Sequence, residues 1–380
     1  MVHPNVKFLR AIGTLIGGMV GVGVFGLPYA FAQSGYIIGA LVFVVLAALI
    51  SILMMMYGEL VSRAHDHHRL VGHVKNYLGP RWGWVTAVTH TVGLWGAMLA
   101  YIIVGGHFLY LLFGSVFGGP EVVYSLIMAV AASALIYRGL KFVASLEVFV
   151  ISALIFLFLV VIILGLGHLR VDHLLSIHPG NIFVPYGVIL FAFGGLGVIP
   201  EMKELLSRQP KRLPQALIIG LIVTGVLYLL FSFAVVGTTG PATTSMALTG
   251  LIPIFGSGFG LVAALLGSLT ILSIFTILGI ELLNMLKYDF RLEHRRAWAM
   301  AVVVPLLLFI MGLREFIDLI SFIGSVFGAT LGIIVVLAYE KMKQQAGRSY
   351  RGLNIPTPVS VVIIIIFVFG AFLEIGSRLN

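Results

Sequence analysis

Gly17-Gly18-Met19-Val20-Gly21-Val22-Gly23-Val24-Phe25-Gly26-Leu27-Pro28 and Phe191-Ala192-Phe193-Gly194-Gly195-Leu196-Gly197-Val198-Ile199-Pro200 interrupt two of the eleven apolar stretches in this chain. They belong to the first and the sixth stretch, so the interruptions recur five stretches apart. In hydrocarbon no water can satisfy a backbone N–H or C=O, and a lipid-facing helix cannot leave these groups unpaired. Glycine-broken helices at matching places therefore predict two structural repeats, each contributing unwound backbone to a buried site. That is the arrangement expected of a secondary transporter.

Composition points the same way. Of the 380 residues 60% are hydrophobic and 10% charged, which excludes an ordinary water-soluble domain. A run of about 20 apolar residues spans a bilayer, and such runs fall at roughly 11–33, 36–62, 84–113, 121–137, 142–167, 183–206, 214–238, 257–287, 297–313, 315–339 and 357–376. The linkers leave no room for a soluble domain. The expected fold is all-α and polytopic, a single transmembrane domain of eleven helices. Repeat one covers about 11–167, repeat two about 183–339, and one extra span about 357–376. Five spans is an odd number, so the second repeat enters from the opposite face and the repeats are inverted.

The formal charge is +9 with a pI near 9.8. With the N-terminus in the cytoplasm, all of the 23 Lys and Arg except Arg170, Arg314 and Arg378 fall on the inner side. This asymmetry predicts N-terminus inside and C-terminus outside. It accounts for the basic pI through the lipid bilayer, with no nucleic-acid partner. The expected location is a prokaryotic inner membrane. The absence of cysteine excludes disulfides, thiolate chemistry and cysteine-held metals. Lys7, Arg10 and the later Ala30-Phe31-Ala32 resemble a signal peptide. The glycines of the run and its counterpart in the sixth stretch argue instead for a retained first span.

The breaks suggest what they bind. A half-helix N-terminus carries partial positive charge and suits a carboxylate. Carbonyls freed at the other half's end suit an ammonium or a metal cation. An α-amino acid offers both groups at fixed spacing. The N–H groups near Gly21, Val22 and Gly23 are assigned to the carboxylate, and carbonyls near Met19 and Phe191 to the ammonium. Gly194 and Gly195 open the second break to the ligand. Phe191 and Phe193 flank it, and one can close over the substrate as an aromatic gate. The competing reading is close helix packing through Gly17-x-x-x-Gly21.

Acids inside a membrane are costly and usually functional. Glu59, Glu147, Glu201 and Glu281 lie within apolar stretches. Glu201, just after Pro200, is best placed to link proton binding to a half-helix; the alternative is a static ion pair with Lys203 or Arg10. His65-Asp66-His67-His68 with His73 invites a metal reading, but adjoins Arg63 and Arg69, which disfavours a cation. His90 and His107 are read as hydrogen-bonded core histidines. No set of nucleophile, base and ligand at one depth supports an enzyme, and no cofactor is expected beyond a coupling proton or sodium ion.

Gly21-Val22-Gly23-Val24-Phe25-Gly26-Leu27-Pro28-Tyr29-Ala30 resembles the first-span signature of the amino acid–polyamine–organocation superfamily. Phe31-Ala32-Gln33-Ser34-Gly35 is most similar to its amino acid/auxin permease branch. Phe191-Ala192-Phe193 with Pro200 and Glu204-Leu205, and Gly324-Ser325 with Gly328-Ala329-Thr330-Leu331-Gly332, resemble that branch's sixth and tenth spans. The resemblance implies a LeuT-like fold and proton- or sodium-coupled symport of an amino acid by alternating access, as in aromatic and neutral amino acid permeases. The chain departs from the pattern at Gly197, where many members carry Glu, and at Gly195-Leu196, where the branch often has Cys-His. Sodium-coupled relatives place adjacent hydroxyls in the eighth span; here Ser268, Thr270, Ser273 and Thr276 stand apart, and Ser273 and Thr276 are the candidate ion ligands. A divalent-metal carrier of the same fold needs an Asp-Pro-Gly-Asn break, and no Asp or Asn lies between Gly13 and Gly35. An amino-acid-sensing receptor subunit shares the architecture and stays open. With Lys203 and Lys287 only at span ends and no Lys or Arg deeper inside a span, a neutral or aromatic amino acid is preferred over an acidic one.

Overall fold

A computed structural model describes residues 4–63, 69–138, 143–288, 290–347 and 352–379. His65, Asp66, His67 and His68 lie outside the described residues. Among the described residues the chain is helical, with helices at each apolar stretch. The first stretch is α1 (Pro4–Met19) and α2 (Gly23–Ser34), and the second is α3 (Tyr36–Arg63). The short α4 (Leu70–Leu78) ends at Gly79-Pro80, a pair that stops a helix. The third to fifth stretches are α5 (Pro80–Phe117), α6 (Glu121–Arg138) and α7 (Val143–Leu166). After the short α8 (Val171–Leu175), the sixth is split into α9 (Val184–Ala192) and α10 (Ile199–Leu205). Then come α11 (Leu213–Thr239), the short α12 (Ala247–Phe255), α13 (Ser257–Tyr288) and α14 (His294–Ile310). The tenth is α15 (Phe316–Phe322), a π-helical turn at Ile323–Gly328 and α16 (Ala329–Ala346); α17 (Thr357–Leu379) is last.

Eight of the described helical segments are long and apolar enough to cross a membrane, and α1 with α2 makes a ninth as one bent span. In the fifth stretch the apolar helical part counted is Ser152–Leu166, which is shorter, and α14 has 17 residues. Large apolar side chains such as Leu41, Val44 and Val45 on α3, Ile222 on α11 and Phe372 on α17 point outward, a surface that suits lipid rather than water.

Both breaks occur where the glycines predict them. The first is confined to Val20-Gly21-Val22, and α1 and α2 meet at 58°. Gly17 and Gly18 stay helical, and Pro28 sits inside α2. In the sixth stretch Phe193-Gly194-Gly195 is non-helical and a 3-10 turn covers Leu196–Val198. Pro200 occupies the first turn of α10, where its missing N–H costs nothing.

The tenth stretch holds a feature that the sequence does not advertise. At Gly324, in the π-helical turn, a Cβ would run into the Gly187 carbonyl and lie 2.7 Å from the Phe191 nitrogen. Backbone therefore packs on backbone between this turn and α9, the mode that small residues permit in membranes. The segment from Thr238 to Gly256 contains α12. Thr244 Oγ1 accepts the Gly250 N–H at 3.0 Å, and Thr249 Oγ1 lies 3.1 Å from His107 Nε2 on α5.

Candidate substrate site

The two breaks lie side by side. A Cβ on Gly23 would meet Ala192 Cα and Phe191 Cδ1 at 2.9 Å, and one on Gly195 would meet Met19 Cγ at 2.7 Å. Met19, Gly21, Val22, Gly23, Phe191, Phe193, Gly194 and Gly195 are thus brought together. Met19 and Phe191 close the helical halves α1 and α9, Gly23 opens α2, and the others are the break residues themselves.

Two tyrosines that the sequence reading passed over complete the arrangement. Tyr101 on α5 reaches the first break, where its hydroxyl accepts the Val22 N–H at 3.2 Å. A Cβ on Gly21 would collide with the same hydroxyl. Tyr228 on α11 is fully buried and donates to the Met19 carbonyl at 2.7 Å, while the Ala192 carbonyl is 3.2 Å from the same oxygen. The last carbonyls of a helix have no partner within it. One phenol therefore serves the C-terminal ends of α1 and α9 together, and another meets the N-terminal end of α2. Two of the backbone groups assigned to an amino acid from sequence, the Val22 N–H and the Met19 carbonyl, are held by phenol oxygens in this structure. Nothing local in sequence signals this: Tyr101 and Tyr228 sit in apolar helices 79 and 209 residues from the groups they reach.

Aromatic rings form the walls. Phe193 is 2% exposed, with ring centroids 5.3 Å from Phe43 and 5.7 Å from Tyr228. Phe25 packs edge-on against Phe108 at 5.4 Å, and Phe158 lies tilted against Phe231 at 4.6 Å. Phe191 is only partly buried and its carbonyl accepts the Gly194 N–H at 2.9 Å.

The candidate ion residues are distributed differently. Glu201 was read as a buried acid beside the break. In the structure it is half-exposed and paired with Arg69 at 3.2 Å. The physical reason is packing: Glu201 lies in the first turn of the short α10, on a face that its neighbours leave open. Thr276 Oγ1 donates to the Leu272 carbonyl at 2.7 Å, while Ser273 Oγ is buried with no hydrogen-bond partner. Ile274 on the same helix comes within van der Waals reach of a Cβ on Gly21. The acid that does face a break is Glu281, near the end of α13. Its Oε1 is 3.1 Å from His90 Nε2, and a Cβ on Gly197 would lie 2.8 Å from it.

Exposure is asymmetric along the site. From Gly23 to Pro28, α2 is buried. Gly18 and Gly194 are exposed, Leu196–Val198 partly so, and Glu201 is 49% exposed. The breaks are therefore sealed on the α2 side and reachable from the end that carries Arg69 and Glu201. Among the described residues no three His, Asp or Glu cluster as metal ligands do.

The fold is similar to that of MhsT, solved in complex with L-phenylalanine, with a TM-score of 0.70, 16% identity and coverage of 96% of this chain and 98% of that one. The tryptophan-specific transport protein of Shigella flexneri is 25% identical over 233 residues, 59% of this chain and 56% of that protein. The chain thus matches about half the length of that relative. The tyrosine-specific transport system 1 of Haemophilus influenzae is 23% identical over 355 residues, 88% of each chain. The tryptophan/tyrosine permease family model matches residues 5–376, across both broken helices and all the residues gathered around them. The chain belongs to that family, one of multi-pass membrane transport proteins and not of enzymes.

Proposed function

We propose that this chain is a secondary active transporter of a neutral aromatic amino acid, of the tryptophan and tyrosine class, in a prokaryotic inner membrane. It belongs on this reading to the amino acid/auxin permease branch, with eleven spans, a 5+5 inverted repeat and the N-terminus inside. The observation that carries the proposal is the pair of buried phenols, Tyr101 and Tyr228, on the polar ends of the two broken helices. A hydroxyl that accepts a hydrogen bond keeps its own hydrogen to donate. Tyr101 can therefore give its O–H to a substrate carboxylate lying beside Gly21, Val22 and Gly23. The ammonium goes to the carbonyl end of α1 at Met19 and of α9 at Phe191, where Tyr228 yields or shares its place. The ring faces of Phe193 and Tyr228, with Phe191 above, suit an aromatic side chain. Substrate binding draws α10 and the inner half of α1 together and closes the path on the Arg69 side; alternating access follows from opening the α2 side.

Uptake in proteoliposomes tests this reading. Labelled L-tryptophan and L-tyrosine are expected to accumulate under an imposed inward proton or sodium gradient, and L-glutamate is not. Binding of L-tryptophan without flux under either gradient would favour a receptor. Neither binding nor flux would remove the substrate class.

A further inference from the structure

The bare backbone at Gly197 receives a carboxylate from another helix. Glu281 Oε1 rests on the bare backbone of the 3-10 turn joining α9 to α10, 2.8 Å from where a Cβ on Gly197 would stand. The same oxygen is 3.1 Å from His90 Nε2 on α5. The contact thus ties three segments together: α13, α5 and the break of the sixth stretch. The side chains of His90 and Glu281 are 16% and 35% exposed, on the side where Gly194 and Glu201 are open as well. An acid inside a membrane segment that keeps water access can exchange protons with that water; a sealed one cannot.

Resting on the transport reading above, we propose that the Glu281–His90 pair is the proton-binding site that couples substrate movement to a proton gradient. With His90 neutral and its Nε2–H donated to Glu281, the pair carries one negative charge. A proton delivered by hydronium from the vestibule adds to His90 Nδ1, releases water and leaves a carboxylate–imidazolium pair of zero net charge. A net charge is costly to enclose in low dielectric, and a neutral pair much less so. The turn bearing Gly197 therefore closes over the pair when it is protonated and stays open when it is not. A further charged group acting on Glu281 is Arg69, which precedes α4 and pairs with Glu201; the phenol of Tyr57 on α3 also lies within its electrostatic reach. A sodium ion seeks several oxygen ligands, whereas this pair offers one carboxylate and a ring nitrogen.

Proteoliposomes loaded for L-tryptophan uptake and for gradient-free counterflow test the assignment. A gradient of about two pH units supports about 100-fold accumulation for one coupled proton. Glu281→Gln keeps a hydrogen-bonding group toward His90 but cannot carry the charge. It is expected to bring accumulation down to the level of simple equilibration, while counterflow persists and loses its pH dependence. His90→Gln is expected to give the same split and covers the case in which Glu281→Gln does not purify folded. Gly197→Ala pushes the carboxylate off the break and is expected to reduce accumulation as well. Full accumulation in both Glu281→Gln and His90→Gln would overturn the proposal. So would accumulation by wild type under sodium alone, or loss in Glu201→Gln with Glu281→Gln intact. If wild type moves no aromatic amino acid in counterflow, the transport reading itself has failed and the coupling site falls with it.

Discussion

Tyr228→Phe is expected to cut aromatic amino acid uptake by about tenfold to a hundredfold, because it strips a buried hydrogen bond from a helix end at the site, a loss of roughly 1–3 kcal/mol. The phenol donates to Met19 and lies beside the Ala192 carbonyl, so one oxygen stands between the ends of α1 and α9. Phenylalanine preserves the ring that packs on Phe193 at 5.7 Å, so cavity formation does not confuse the result. Initial-rate uptake and calorimetric affinity for L-tryptophan should fall together, because the carbonyls that the phenol positions are those assigned to the ammonium. Uptake within twofold of wild type would mean that the two ends hold their positions without it.

The second large effect lies away from the substrate. Gly324→Val is expected to destabilise the protein by about 1–3 kcal/mol or more, the range for overpacking a tight interior. The new side chain meets backbone at Gly187 and Phe191, which cannot rotate aside as a flexible side chain can. The π-helical turn would be pushed off α9, and Phe191 with it. Thermal unfolding in detergent should therefore shift downward, and transport by whatever folds should fall at least tenfold, equivalent to about 1.4 kcal/mol of displaced site geometry. Gly13→Ala is the control: nothing lies within 4 Å of its Cβ, and both quantities should stay at wild-type values. A Gly324→Val protein as stable and active as wild type would show that α9 and the tenth stretch slide freely.

Much of the architecture was legible because membrane physics leaves few choices. A glycine run in an apolar stretch marks lost helix, and the breaks fall at Val20-Gly21-Val22 and Phe193-Gly194-Gly195. Glu201 shows where this kind of reading stops. Its place in the chain, next to a proline and a break, suggested burial, yet burial depends on how far α10 extends from its neighbours. The structure leaves the side chain 49% exposed with Arg69. Glu281 is the reverse case, an acid with no local motif that meets Gly197 and His90 only because α13, α5 and the sixth stretch converge.

The sequence by itself therefore determined the all-helical membrane class, the two interrupted helices and the backbone groups they release. These follow from local rules: apolar run length, the conformational freedom of glycine and the need to satisfy every buried N–H and C=O. Only the tertiary structure decided which groups satisfy them. Tyr101 and Tyr228 resemble any tyrosine in an apolar helix until helix packing brings their hydroxyls to Val22 and Met19. A hydrogen bond reads distance and angle in space, and neither is written in the spacing of residues along the chain.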